Sequence, residues 1–295
     1  MSILPPLFFE SVIDGLILGF IYALMSVGLT LIFSIMKLSN FAHGEVYMLG
    51  GYALYYISSL FPGINPILGL PMALAVGFVV GSVFEVAYIR DAFVKPMERP
   101  FEYAMLATFA LSIFLQNFAL QAFGSFVHTA PSFVSGSILL GYLTLSLNRV
   151  VLAVVATISL LLLYLFIKYT KTGRAWRAVA QNRIGALVSG IDDAKVRILA
   201  YGTGTSLAAL SGALLATIYG IWPSCGFEPL VIAFVVITLG GLGSIKGAFI
   251  GSLVVGLINS FVAIYASPSY AYVVMYLALI LVLIIRPSGL FGEKG

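Results

Sequence analysis

The chain has 295 residues, of which 61% are hydrophobic and only 9% charged, and its mean hydropathy is +1.10. A single core of this length cannot bury so much apolar surface, so the composition excludes a soluble globular protein and points to an integral membrane protein. One helical crossing takes about 20 apolar residues, which leaves room for roughly eight to ten spans and for no appended catalytic domain. The apolar residues form long runs with Gly and Pro inside them, and this favours a helical bundle over an outer-membrane barrel. The one cysteine, Cys225, excludes an intramolecular disulfide and a cysteine metal cluster. The net charge of +4 is the excess that positive-inside topology produces without any nucleic acid.

In chain order, the opening MSILPPLFFESVIDG has no basic residue ahead of its apolar stretch and no small-residue cleavage pattern, so the first span is expected to stay. Apolar segments at 15–36, 46–60 and 66–89 are each long enough to span, with the polar KLSNFAHGE between the first two. Three spans here place the N-terminus outside. A polar stretch at 90–102 carries Arg90, Lys95 and Arg99; Glu85 just before it reads as an interfacial charge. A span at 103–123 follows, holding Gln116, Asn117 and Gln121, whose expected work is hydrogen bonding between helices. Residues 124–148 read as an outer loop with a solvent-facing His128, and 149–167 as the next span. The segment 168–197 holds seven of the fifteen basic residues against Asp192 and Asp193, so it is predicted to be a cytoplasmic loop. Four further runs, 198–219, 229–244, 248–266 and 270–285, alternate direction and leave the C-terminal tail, with Arg286 and Lys294, inside. The whole chain, 1–295, thus reads as one all-α transmembrane domain with broken helices. Small-xxx-small spacings (Gly15 and Gly19; Gly77 and Gly81; Gly243, Gly247 and Gly251) are expected to pack helices within the subunit.

Three constellations carry candidate chemistry. Asn40, His43 and Glu45 lie between apolar runs, where ionisable groups are expensive and face a cavity or a partner. Three readings are open there: a helix break with Asn40 as N-cap, the lining of a pathway, or a catalytic acid–base pair. His43 and Glu45 are two apart, hence on different helix faces, and no second His completes a metal set. Next, TLGGLGSIKGAFIG at 238–251 breaks two apolar runs but matches no nucleotide-binding loop, so Thr238, Gly240, Gly241 and Gly243 are read as a discontinuous helix near a solute path. With the break at 38–51 it suggests a diverged duplication. Last, Gly173 to Gln181 reads as a short amphipathic helix with Arg174 and Arg177 on one side and Trp176 on another, lying on lipid headgroups or docking on a cytoplasmic partner. Asn259, a lone amide in a span, lines a path or ties helices together.

Three stretches together resemble one family. They are GLILGFIYALMSVGLTLIFSIMKLSNFAHGEVYMLGGY at 15–52, TGRAWRAVAQN at 172–182 with AALSGALLA at 208–216, and VVITLGGLGSIKGAFIGSLVVG at 235–256. In these, and in the ending RPSGLFGEKG, the chain is similar to the branched-chain amino acid permease subunits of bacterial and archaeal ABC importers, specifically the smaller of the two permeases usually paired. Urea and amide permeases share the motifs. The resemblance implies a prokaryotic inner-membrane, multi-pass transport subunit working with a second permease, two cytoplasmic ATPases and an extracellular or periplasmic solute-binding protein. It also implies that Gly173, Arg174, Ala175, Trp176, Arg177 and Ala178 belong to the element coupling it to an ATPase. Having no phosphate loop, the chain is expected to bind no cofactor and catalyse no reaction, with ATP on its partners. A stand-alone carrier or channel is the rival from another class; few carboxylates within the spans argue against proton coupling.

Overall fold

The computed structural model describes residues 6–140 and 143–292, so Lys294 lies outside the described residues. Twelve α-helices carry the fold among them. Seven helical segments are long and apolar enough to cross a membrane: α1 (Pro6–Met36), the segment Pro66–Ile89 containing α3 (Leu70–Phe84), α5 (Pro100–Phe123), α6 (Leu147–Tyr169), α9 (Asp193–Leu215), α11 (Ile245–Tyr265) and α12 (Pro268–Ile285). Two further helices, α2 (His43–Leu60) and the shorter α10 (Phe227–Gly240), are packed among them. The remaining helices are short: α4 (Asp91–Val94), α7 (Lys171–Gln181) and α8 (Arg183–Val188). The outer loop adds a two-stranded antiparallel hairpin, β1 (Ser137–Leu140) and β2 (Leu143–Ser146).

Local sequence sets many of the boundaries. Pro100 and Pro268 stand in the first turns of α5 and α12, where a missing N–H costs nothing. Thr170, Asn182, Asp192 and Ser244 cap α7, α8, α9 and α11 through their side-chain oxygens. Asp192 accepts the Lys195 N–H at 3.1 Å and pairs with its ammonium at 3.2 Å; these two contacts hold its carboxyl below the usual carboxylate range.

The centre of the bundle is α1 and α9. Of their most apolar windows 78% and 83% are buried, against 22% for α5 and α6 and 11% for α12, which form the exposed rim. The small-residue stripes pack inside the subunit: Gly15 and Gly19 lie on Leu257 and Leu253 of α11, and Gly77 and Gly81 on Thr205 of α9. With little hydrophobic drive between helices in lipid, this close approach is what lets dispersion hold them.

Three expectations are corrected. Glu85 is fully buried, not interfacial, and pairs with the buried Arg197 at 3.0 Å. Asn117 donates to the Ile113 carbonyl of its own helix, 2.7 Å away, instead of to a neighbour. His128 is half-buried: its ring lies 4.6 Å from that of Tyr55, and its backbone bridges to Ile221.

Candidate functional site

Two connections enter the bundle from opposite ends. After α1 ends, Lys37 turns the chain with φ of 55°. The chain then climbs along α5, where Thr108 Oγ1 accepts the Phe41 N–H at 3.2 Å while donating to the Met105 carbonyl. Asn40 Oδ1 accepts the Ala42 N–H at 3.0 Å and closes a turn. The N-cap of α2 is Ala42, with no side-chain cap, so Asn40 shapes the approach to the helix and is not its N-cap. From the other end, residues 217–226 pass the Ile221–His128 bridge and reach the start of α10. The two breaks meet where Gly44, in the first turn of α2, lies against the backbone of Gly226, the N-cap of α10; a Cβ on either would strike the other's carbonyl. This is mid-depth, because Glu45 in the same turn bonds Ser112, halfway along α5. From here α2 and α10 run toward opposite ends. The counterpart of the break at 38–51 is therefore 217–226, not the glycine segment at 240–247.

Three polar side chains sit at this junction, with exposures of 0% for Asn40, 0% for His43 and 3% for Glu45. His43 Nε2 is 3.1 Å from the Met25 carbonyl. A carbonyl only accepts, so Nε2 carries the hydrogen and Nδ1 presents a lone pair. Glu45 Oε1 accepts the Ser112 hydroxyl at 3.1 Å. Asn40 Nδ2, His43 Nδ1 and Glu45 Oε2 have no hydrogen-bond partner among the described residues. Buried polar atoms are normally satisfied, and three unpaired ones at one helix break make this junction the candidate site. The first-turn N–H groups of α2 and α10 add two positive helix ends at the same place.

The other predicted path residues lie elsewhere. Gly240 and Gly241 form the tight turn between α10 and α11; Gly240 packs on the Gly247 backbone, and Gly241 has φ of 105°. The C-terminal tail covers this turn, with the Leu290 and Phe291 N–H groups donating to the Leu239 and Gly240 carbonyls at 2.9 Å. Gly243 faces Ser34 near the end of α1, and Thr238 is half-buried one turn before the break, its carbonyl against Gly289.

On α7, Gly173, Trp176 and Val179 face inward, with Trp176 packed 5.2 Å from Phe166 of α6. Ala175 and Ala178 are half-buried, and Arg174 and Arg177 are exposed. The next helix, α8, exposes Ile184 at 75%, Leu187 at 49% and Val188 at 86%, an apolar patch that charge-based reading passed over. Also missed were Ser112 and Thr108, ordinary hydroxyls in a span, and Gly226, whose only signal is the turn sequence around it.

The chain matches, over residues 11–283, the model of the family described as branched-chain amino acid transport system / permease component. It is 34% identical to the high-affinity branched-chain amino acid transport system permease protein LivH of Escherichia coli (strain K12), over 97% of this chain and 96% of that one. It is 32% identical to the corresponding protein BraD of Pseudomonas aeruginosa over the same shares. The ribose import permease protein RbsC of Escherichia coli (strain K12) is 25% identical over 89% of this chain and 81% of its own length. No solved structure matches the chain. On the strength of the full-length matches, this chain belongs to the branched-chain amino acid transport permease family.

Proposed function

We propose that the chain is a membrane-spanning subunit of an ATP-binding-cassette importer that carries branched-chain or other small neutral amino acids inward by alternating access. The full-length similarity to permeases named for that transport carries the reading, and the junction of α2 and α10 supplies its chemistry. Glu45 Oε2 accepts the ammonium of a passing zwitterion, while Asn40 Nδ2 and the helix N-termini receive its carboxylate. No covalent step is involved. Glu228, exposed in the first turn of α10, stands at the same depth; a second permease packed there would shield it from lipid.

The basic end is cytoplasmic by the positive-inside rule, which puts the C-terminus inside the cell, in a prokaryotic inner membrane. There, Arg174 and Arg177 of α7 together with Ile184, Leu187 and Val188 of α8 form the face that meets an ATPase. Trp176 and Gly173 hold α7 in place from within. The complex comprises this chain, a second permease, two ATPases and a solute-binding protein.

The test is co-expression with the candidate partners, pull-down, and ATPase assay in lipid with binding protein and leucine, urea or ribose. Leucine-stimulated hydrolysis by a stable complex supports the reading. Stimulation by urea or ribose alone moves the substrate, and leucine flux through this chain alone in liposomes, without ATP, replaces an importer subunit by a self-sufficient carrier.

A further inference from the structure

At the end opposite the basic loops, Asp14 of α1 pairs with Arg149 in the first turn of α6 at 2.5 Å. This pair forms the common wall of two cavities. One, of 290 Å³ and open on one side, is lined further by Glu10, Ile13 and the end of β2. The other, of 170 Å³, runs between α1, α11 and the chain at 218–219, lined by Ile17 and Ile21 of α1, Ile218 of the connection, and Asn259, Ser260 and Ile264 of α11. The first alone approaches the lower end of the range for small-molecule sites. Ser260 is 4% exposed, and its Oγ has no hydrogen-bond partner among the described residues.

The chemistry of these walls is specific. The Arg149 guanidinium and the Asp14 carboxylate face both cavities; Glu10 adds a second carboxylate in the first, and Ile17, Ile21, Ile218 and Ile264 give the second its branched aliphatic wall. A solute with no net charge but both signs can insert between Asp14 and Arg149 and exchange one ion pair for two, leaving neither charge uncompensated. A solute of single charge leaves one partner unpaired, and an uncharged one gives the pair no reason to part. We infer that this chamber is an entry station for a zwitterionic amino acid with a branched apolar side chain. Arg149 takes the carboxylate, Asp14 with Glu10 takes the ammonium, and the isoleucine wall takes the side chain. The inference rests on the proposed function in the identity of the solute, and it adds a site remote from the α2–α10 junction.

The test uses the whole complex without binding protein, in nanodiscs, with Cys225→Ser as background. Maleimide labelling is read at Ile264→Cys and, independently, at Ile17→Cys. Millimolar leucine is expected to slow labelling several-fold, whereas leucinol, isocaproate and urea do not. Asp14→Asn, which changes one charge without changing shape, and Arg149→Met are each expected to weaken leucine protection about tenfold or more, as loss of a charge-assisted contact does. The charge swap Asp14→Arg with Arg149→Asp restores the pair but points the solute's side chain away from the isoleucines, so protection stays lost. Labelling indifferent to leucine, protection that survives Asp14→Asn, or full recovery in the swap each overturns the inference. So does protection that needs phosphatidylethanolamine and ignores leucine, which would make the occupant a lipid headgroup. Leucine-stimulated ATP hydrolysis by the unmodified complex is measured alongside, so that failure of the transport reading is told apart from failure of the station.

Discussion

Two arginine–carboxylate pairs join distant helices at opposite ends of this molecule, and their surroundings differ. At the basic end, Arg197 of α9 and Glu85 beyond α3 have side chains 3% and 0% exposed. Arg197 also bonds Asp193, which accepts from Arg183 at 2.7 Å, and Phe93 lies 4.8 and 4.7 Å from the two guanidinium carbons. Every charge in this network has an opposite. At the far end, Arg149 and Asp14 are 37% and 19% exposed and line open space. The same chemical pair is a clamp where an aromatic ring and two further charges seal it, and a receptive surface where cavities adjoin it.

Breaking the clamp should have the largest effect. Arg197→Met leaves Glu85 buried without its cation, at a cost of about 3–5 kcal/mol, read as loss of monodisperse protein and a lowered unfolding temperature in detergent. Glu85→Met combined with Arg197→Met should recover most of that loss; a double variant no better than the single would mean the pair does more than compensate charge. Next in size is Gly44→Leu. It forces α2 off the N-cap of α10 at an overpacking cost of about 1–3 kcal/mol, and it should abolish transport even in the fraction that remains folded, as measured by uptake per assembled complex. Asp14→Asn sharpens the contrast. Its pair is partly solvated, so the stability change should stay within about 1 kcal/mol while uptake at limiting leucine falls; an unfolding temperature lowered as far as by Arg197→Met would make both pairs clamps.

Smaller still in stability is Arg174→Glu with Val188→Asp on the cytoplasmic face, within about 0.5 kcal/mol for exposed positions. Co-purification of the ATPases should nevertheless drop, and unchanged co-purification would remove α7 and α8 from the docking face. The smallest effect is acid fraying of α9. Because Asp192 titrates below its ordinary range in the folded chain, its cap is fully in place above that range and is lost as pH falls through the lowered value. Amide exchange in the first turn of α9 should therefore rise only in strong acid, and Asp192→Ala should remove that dependence.

How much of this was legible beforehand varies by residue. The run at 103–123 became α5 and the one at 270–285 became α12 because each is bounded by a proline and a charge or turn, signals that lie within a few residues of the boundary. Glu85 reads as interfacial from sequence because its cation is 112 positions away, and no local pattern says that an acid at the end of a span turns inward. The glycines at 240–243 looked like a path because a Gly-rich break is the same string whether it faces a solute or a C-terminal tail. His43 and Glu45 were singled out by cost alone, since ionisable groups in apolar surroundings need a reason; the Met25 carbonyl and the Ser112 hydroxyl that receive them carry no such mark.

The sequence by itself determined that the chain is helical and membrane-embedded, roughly where its long helices run, and which end is basic. These follow from hydropathy, from proline and cap chemistry, and from the local cost of placing charge in lipid. Only the tertiary structure decided which charges meet, that the breaks before α2 and α10 face each other at Gly44 and Gly226, and that Asp14 and Arg149, 135 positions apart, share a chamber. Such pairings depend on how helices cross, and crossings are set by dispersion between small residues summed over whole faces, a quantity no local window of sequence contains.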